Sequence, residues 1–267
     1  MHKEGCALRC RRLDTCGKID SVDKMACFVQ LEGGLGNQLF QVAAAWAHCK
    51  RNGFTLQISK GTKGGRGTYW TSVLQRFAGH IGDLQQGPLW HEPRFAYTPI
   101  PREARNLFGY FQSSRYFAEY AEELRELFDL SETVDYDLSD AVAVHIRLGD
   151  YFTRKNRSFH GIVTQGYYER AIAKFPGKRI LVLSDNLAAC RTWPFLQEAI
   201  FVDESDVVCL SLMSRAPNFI MSNSSFSWWG VFLGAPKRVI SPARWFGPSG
   251  PQDYEDIYEP SWEKMAV

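Results

Sequence analysis

The residues able to do chemistry gather in three short segments. Ser222-Asn223-Ser224-Ser225-Phe226-Ser227-Trp228-Trp229-Gly230 crowds hydroxyls and an amide between two apolar stretches, Phe219-Ile220-Met221 and Trp228 to Leu233. That layout reads as strand, hydroxyl-rich turn, helix. Backbone N–H groups at a helix start, joined by serine hydroxyls, suit an anion such as a phosphate. Ser and Asn are also favoured simply as N-caps, so the run alone leaves both readings open.

His145-Ile146-Arg147-Leu148-Gly149-Asp150-Tyr151 is the second segment. It ends a strand expected over Ala141 to Ile146, whose period of two puts His145 and Arg147 on one face. The carboxyl end of a strand is where open α/β sheets bind ligands. The Arg fork matches phosphate oxygens. Equally, Arg147 could pair with Asp150 at the surface while His145 caps the strand. The third segment is Gly33-Gly34-Leu35-Gly36-Asn37-Gln38. It follows a short strand, Cys27 to Gln30, and precedes Leu39, Val42, Ala43, Trp46 and Ala47 at helical spacing. Gly53 is a natural stop, and Phe54 to Ile58 reads as the next strand. Glycines in such a βαβ turn let the backbone approach a ligand. The spacing is not G-x-G-x-x-G, and such clusters also mark purely structural turns.

The elements that must position these segments alternate. After the opening βαβ unit come a flexible loop, Gly61 to Gly67, and an irregular Gly/Pro/aromatic stretch, Gly82 to Pro101. A helical pattern covers Tyr116 to Phe128, and a polar, acidic linker covers Ser131 to Asp140. Beyond it the order is strand 141–146, helix 167–175, strand 179–183, short helix 186–192, strand 199–202, helix 207–215 and strand 219–222. The serine-rich helix and a strand over 238–241 follow. Such βαβα alternation predicts a parallel, doubly wound sheet. Residues 1–25 read as a mobile arm, 26–135 as an N-terminal α/β domain and 136–267 as a C-terminal one.

Composition narrows the function classes. The chain has 267 residues, 45% hydrophobic and 22% charged, which suits a soluble globular protein. A net charge of +2 gives no global attraction to nucleic acid or anionic membrane, so local arginines must do any phosphate binding. No apolar run reaches the ~18 residues of a membrane span, and Met1 to Met25 has no apolar signal-peptide core. The seven cysteines form no C-x-x-C pair and have no histidine cluster beside them, which argues against zinc and for free thiols in a reducing compartment. Asn156-Arg157-Ser158 and Asn223-Ser224-Ser225 match the glycosylation acceptor pattern, which matters only in a secreted protein.

Taken together, the segments resemble the α-1,2-fucosyltransferases of glycosyltransferase family eleven. That family carries a GGLGNQ-F-Q turn, an H-x-R-x-GDY segment and an NSSFSWW segment, found here in order at Gly33 to Gln41, His145 to Tyr151 and Asn223 to Trp229. Gly109-Tyr110-Phe111-Gln112-Ser113 with Tyr116-Phe117, Ser184-Asp185-Asn186 and the tail Pro242 to Phe246 are similar as well. The likeness covers roughly residues 27 to 262. Where the family more often has two acids after the serine, this chain has Asp185-Asn186.

The resemblance implies a GT-B-like α/β fold, two Rossmann-like doubly wound domains facing across a cleft. It implies an inverting transfer of fucose from GDP-β-L-fucose to a hydroxyl of a glycan acceptor, with neither metal nor cofactor. Arg147 would hold the diphosphate, helped by Asn223, Ser224, Ser225 and Phe226 at the helix start. Gly34, Leu35, Gly36, Asn37 and Gln38 would reach across from the first domain. His145 and Asp185 would hold the guanine, Ser184 belongs to the donor-binding set, and Asp150 is the candidate base. Animal members are Golgi proteins with an N-terminal anchor; this chain is expected to be a soluble, cytoplasmic form. Other readings are a metal-dependent transferase using Asp135-Tyr136-Asp137 and a non-catalytic sugar-binding module built on Trp70, Trp90, Trp193, Trp228, Trp229 and Trp245. A transferase for another GDP-deoxyhexose keeps the fold and changes the sugar.

Overall fold

The computed structural model describes residues 25–128, 130–131, 135–149 and 154–267, without the side chains of 154–156. Strand β1 (Ala26–Glu32) runs into helix α1 (Leu35–Asn52), which Gly53 ends in the left-handed conformation at φ 70°. Strand β2 (Thr55–Lys63) returns beside β1. Two short strands follow, β3 (Leu89–His91) and β4 (Asn106–Phe108). The sheet order is β2-β1-β4-β3, with every pairing parallel. The helical stretch expected over 116–128 is broken into two 3₁₀ turns, Ser114–Tyr116 and Ala118–Tyr120, before helix α2 (Ala121–Leu127).

The second sheet begins with β5 (Ala141–Ile146), buried at every position. Helices α3 (Arg154–His160) and α4 (Gln165–Ile172) lead to β6 (Arg179–Ser184). Helix α5 (Leu187–Cys190) leads to β7 (Ile200–Val202), and α6 (Asp206–Arg215) to β8 (Asn218–Ile220). Then come α7 (Ser225–Gly234), β9 (Arg238–Pro242) and β10 (Glu263–Met265). The order is β10-β9-β8-β5-β6-β7, again with every pairing parallel. This is the doubly wound order in which the chain leaves β5 in one direction and returns at β8 on its other side. The strands of the first sheet lie within 26–108 and those of the second within 141–265. Two parallel α/β halves make the GT-B-like arrangement.

The halves share a core. One apolar cluster runs from Val29, Leu39 and Phe40 through Phe117 and Phe128 to Phe219, Trp228 and Trp229. A smaller cluster, with Val144, Tyr167, Tyr168 and Trp193, covers the far face of the second sheet. Trp228 and Trp229 fix the shared part. Phe40 lies 4.6 Å from Trp228 and 5.1 Å from Trp229, and Phe117 stacks on Trp229 at 5.6 Å. The tail also crosses back: Phe95 packs edge-on against Phe246, while Tyr97 N–H and Arg115 both bond Asp256. Among the described residues no helix is long and apolar enough to cross a membrane.

The crossing of α1 and α7 leaves no room at Gly36. A Cβ there would stand 2.5 Å from both Phe226 N and Ser225 C, which are backbone atoms and cannot swing away. We expect Gly36→Ala to cost about 1–3 kcal/mol or more, as overpacking of a tight contact does. Gly34→Ala should cost less, since nothing lies within 4 Å of its Cβ position. Equal midpoints for the two variants in chemical unfolding would refute this close approach.

Candidate active site

Four motif segments sit at four strand ends. The glycine turn follows β1, and Gly109 to Ser113 follows β4, its neighbour in the first sheet. Arg147 follows β5, and Ser222 to Ser225 follow β8, its neighbour in the second. Each pair marks the point where the strand order of its sheet reverses, the crevice in which such sheets bind ligands. The N-termini of α1 and α7 touch, so the two crevices meet.

Asn37 is the junction. Its Oδ1 accepts from Gln112 Nε2 at 2.9 Å and from Ser225 Oγ at 2.7 Å. One amide oxygen thus ties the β1, β4 and β8 turns together. Its Nδ2 lies over Gly33, 2.4 Å from where a Cβ would be, and Gly33 has φ +82°. The other polar groups of this segment serve the scaffold. Gln38 bonds Gly33 O and Gly67 O, bracing the 61–67 loop. Gln41 accepts from Glu32 N and donates to Gly109 O. Leu35 is buried in the core, so of Leu35 only the backbone can serve a ligand. Gly34 stands at the open start of α1, which no side chain caps.

His145 is not presented to solvent. It is 4% exposed, and its Nδ1 is bonded by Ser227 Oγ at 2.5 Å and Ser222 Oγ at 3.1 Å. Phe226 meets its ring edge-on at 5.3 Å. Burial pushes its pKa down to about 3; the Arg147 charge adds to this and Asp185 opposes it. His145 thus forms a neutral, buried brace between β5 and α7.

Asp185 is likewise engaged within the chain. Its carboxylate accepts from Leu148 N at 2.8 Å and Gly149 N at 3.0 Å, and pairs with Arg147 Nε at 3.1 Å. A Cβ on Gly149 would stand 2.4 Å from Asp185 Oδ2, which explains the glycine. Asp185 thus shapes the turn after β5 and sets the plane of the Arg147 guanidinium. Arg147, with its side chain 29% exposed, is the cation this turn presents. Asp150, the expected base, lies outside the described residues. Ser184 Oγ accepts from Asn186 N. Asn186 accepts from Ala189 N as the cap of α5, a role Asn and Asp fill equally well.

At the β8–α7 turn, Ser224 caps α7 by accepting from Phe226 N. Asn223 is buried, its Nδ2 donating to His160 O and Trp245 O, so it is a brace and no glycosylation acceptor in the folded chain. Ser225 faces Asn37. Of the six tryptophans considered for sugar stacking, Trp193, Trp228, Trp229 and Trp245 are buried. Asp137 pairs with Arg179 at 2.8 Å and accepts from Ser139, fastening the start of β5. Among the described residues no group of three or more His, Cys, Asp or Glu could hold a metal ion. Cys27, Cys49, Cys190 and Cys209 are free thiols. The sequence reading missed Glu92, whose carboxylate holds the turn after β4. Its only signal was an acid in an aromatic, irregular stretch.

His145 yields a pH dependence with a definite sign. It is neutral in the fold and takes up a proton on unfolding, because its ordinary pKa is 6.5. Its contribution is intact above pH 6.5 and falls as pH drops from there toward about 3. At pH 5 the loss reaches about 2 kcal/mol. Burial also lowers His48, in the same direction. We expect His145→Gln to flatten the dependence of unfolding free energy on pH between 5 and 7. A slope equal to wild type would mean that His145 is protonated in the fold.

An alpha-1,2-colitosyltransferase of Escherichia coli is 28% identical over 81% of this chain and 91% of its own length. The galactoside alpha-(1,2)-fucosyltransferase 2 of Oryctolagus cuniculus is 24% identical over 82% of this chain and 70% of its own. In fold, fucosyltransferase NodZ from Bradyrhizobium aligns with a TM-score of 0.44 at 15% identity, over 81% of this chain and 96% of that one. The description of glycosyl transferase family 11 matches residues 84–266, which takes in the ends of β4, β5, β6 and β8. The chain belongs to glycosyl transferase family 11 and is a glycosyltransferase.

Proposed function

We propose that this enzyme moves L-fucose from GDP-β-L-fucose, with inversion, to the 2-hydroxyl of a galactose-like unit in a glycan acceptor, without a metal. The observation that carries the reading is the meeting of Asn37 with the α7 N-terminus, with Arg147 at the end of β5, the strand beside β8. Breaking the sugar–phosphate bond leaves negative charge on the diphosphate and oxocarbenium character on the sugar. Arg147 is held by Asp185, so its charge is in place before the reaction begins and costs no reorganisation. The first N–H groups of α7 and the Ser225 hydroxyl add fixed dipoles. Asn37 adds an amide from the other half. The acceptor proton requires a base, and Asp150 is the carboxylate nearest Arg147 along the chain.

A second sugar is also favoured by one finding: the Escherichia coli relative is a colitosyltransferase. Both sugars are deoxyhexoses. A donor panel of GDP-fucose, GDP-colitose and UDP-galactose, with product linkage and anomeric configuration read by NMR, tests the reading. Transfer from a GDP-deoxyhexose giving an α-linked product supports it; transfer from UDP-galactose alone refutes it.

Two further outcomes follow from the diphosphate assignment. Activity should survive EDTA; complete loss restored by Mn²⁺ would mean that a metal neutralises the leaving group. Arg147→Lys keeps the charge and loses the fork. Turnover should fall by roughly a hundredfold or more, about 2–4 kcal/mol of transition-state stabilisation. Stability without ligand should change little, while the stabilisation given by GDP should shrink. A Lys variant with near-normal turnover would remove Arg147 from the site.

A further inference from the structure

Glu92 directly follows β3, outside every motif segment, yet its carboxylate organises the turn after β4. Oε2 accepts from Tyr110 N at 2.8 Å and Phe111 N at 3.0 Å, and Oε1 accepts from Tyr116 OH at 3.1 Å. Burial pushes its pKa up, against these three bonds, which favour the carboxylate. Gly109 gives it room: a Cβ there would stand 2.5 Å from Glu92 Cβ. The next residue but one, Phe111, is fully buried with φ +51°. That region is unfavourable for a bulky side chain and persists only where its surroundings impose it. Glu92 supplies the imposition, with Trp90 stacked on the Phe111 ring at 5.9 Å. Because Phe111 turns the chain this way, Gln112 reaches Asn37.

We propose that Glu92 is a positioning residue for transfer. It holds Phe111 left-handed and so aims the Gln112 amide at Asn37. Gln112 and Ser225 then fill both lone pairs of Asn37 Oδ1, which fixes the amide. Its Nδ2, which no acceptor engages among the described residues, is left as a donor over the glycine turn, where the proposed diphosphate would bind. The inference rests on the transfer reaction proposed above.

The test is a double-mutant cycle on the full chain, with GDP-fucose as donor. Glu92→Gln should lower kcat tenfold or more while changing the acceptor KM less than twofold. In an Asn37→Ala background the same change should cost less than twofold, because the group being positioned is gone. Equal losses in both backgrounds overturn the proposal, since that is what general loss of structure produces. If Glu92→Gln fails to fold, Gln112→Leu breaks the same link further along. It should reproduce the kcat loss, and wild-type turnover there overturns the proposal. Hydrogen exchange makes the inference independent of the reaction. Glu92→Gln, or Gln112→Leu in its place, should speed exchange both at 109–113 and in the 33–38 turn. A change confined to 109–113 overturns it, even if no donor tried supports the proposed transfer.

Discussion

The near-contact of two helix starts constrains the rest of this molecule. Gly36 in α1 meets the first peptide of α7 with no space for a side chain. Each helix start carries partial positive charge and free N–H groups. Setting two of them together is unfavourable unless something negative or hydrogen-bond accepting lies between. In the chain itself, the Asn37 oxygen takes part of that role by accepting from Ser225. The diphosphate proposed above would complete it.

The remaining polar groups keep this junction in place. His145, Ser222 and Ser227 form a closed, uncharged set linking β5 to α7. Asp185 draws the backbone after β5 into a turn and fixes Arg147 beside it. Asn223 joins the end of α3 to the chain after β9. Most residues of the motifs therefore act on other residues of the chain. Arg147, Asn37 and the α7 start are what they leave presented.

Much of this could be read from residue order. The period of two in Ala141 to Ile146 located β5 to the residue, and the serine run located the start of α7. Strand β4 escaped because three residues between irregular segments carry no periodic signal; its parallel pairing to β1 is what defines it. The contacts that His145 and Asp185 make within the chain were not legible, for a physical reason. Alternation along a strand gives a side chain's face. It does not say whether another element covers that face, and here α7 covers His145. The engagement of Asp185 was hidden because the backbone after β5 turns back onto its carboxylate, a contact 37 residues apart in sequence. Glu92 was invisible because two of its three partners are backbone N–H groups, which no residue type announces.

The shared core bears on how the protein is made. Phe40 and Phe117, in the first half, find their packing against Trp228 and Trp229, near the end of the chain. During synthesis the first half leaves the ribosome with that face uncovered, and it stays so until α7 emerges. The usual order, in which one domain finishes folding before the next arrives, is not open to this chain. Its first half must wait, its aromatic face exposed to chaperones or to other copies of itself. The cost of joining two binding crevices through a pair of tryptophans thus falls on the nascent chain, before any sugar is bound.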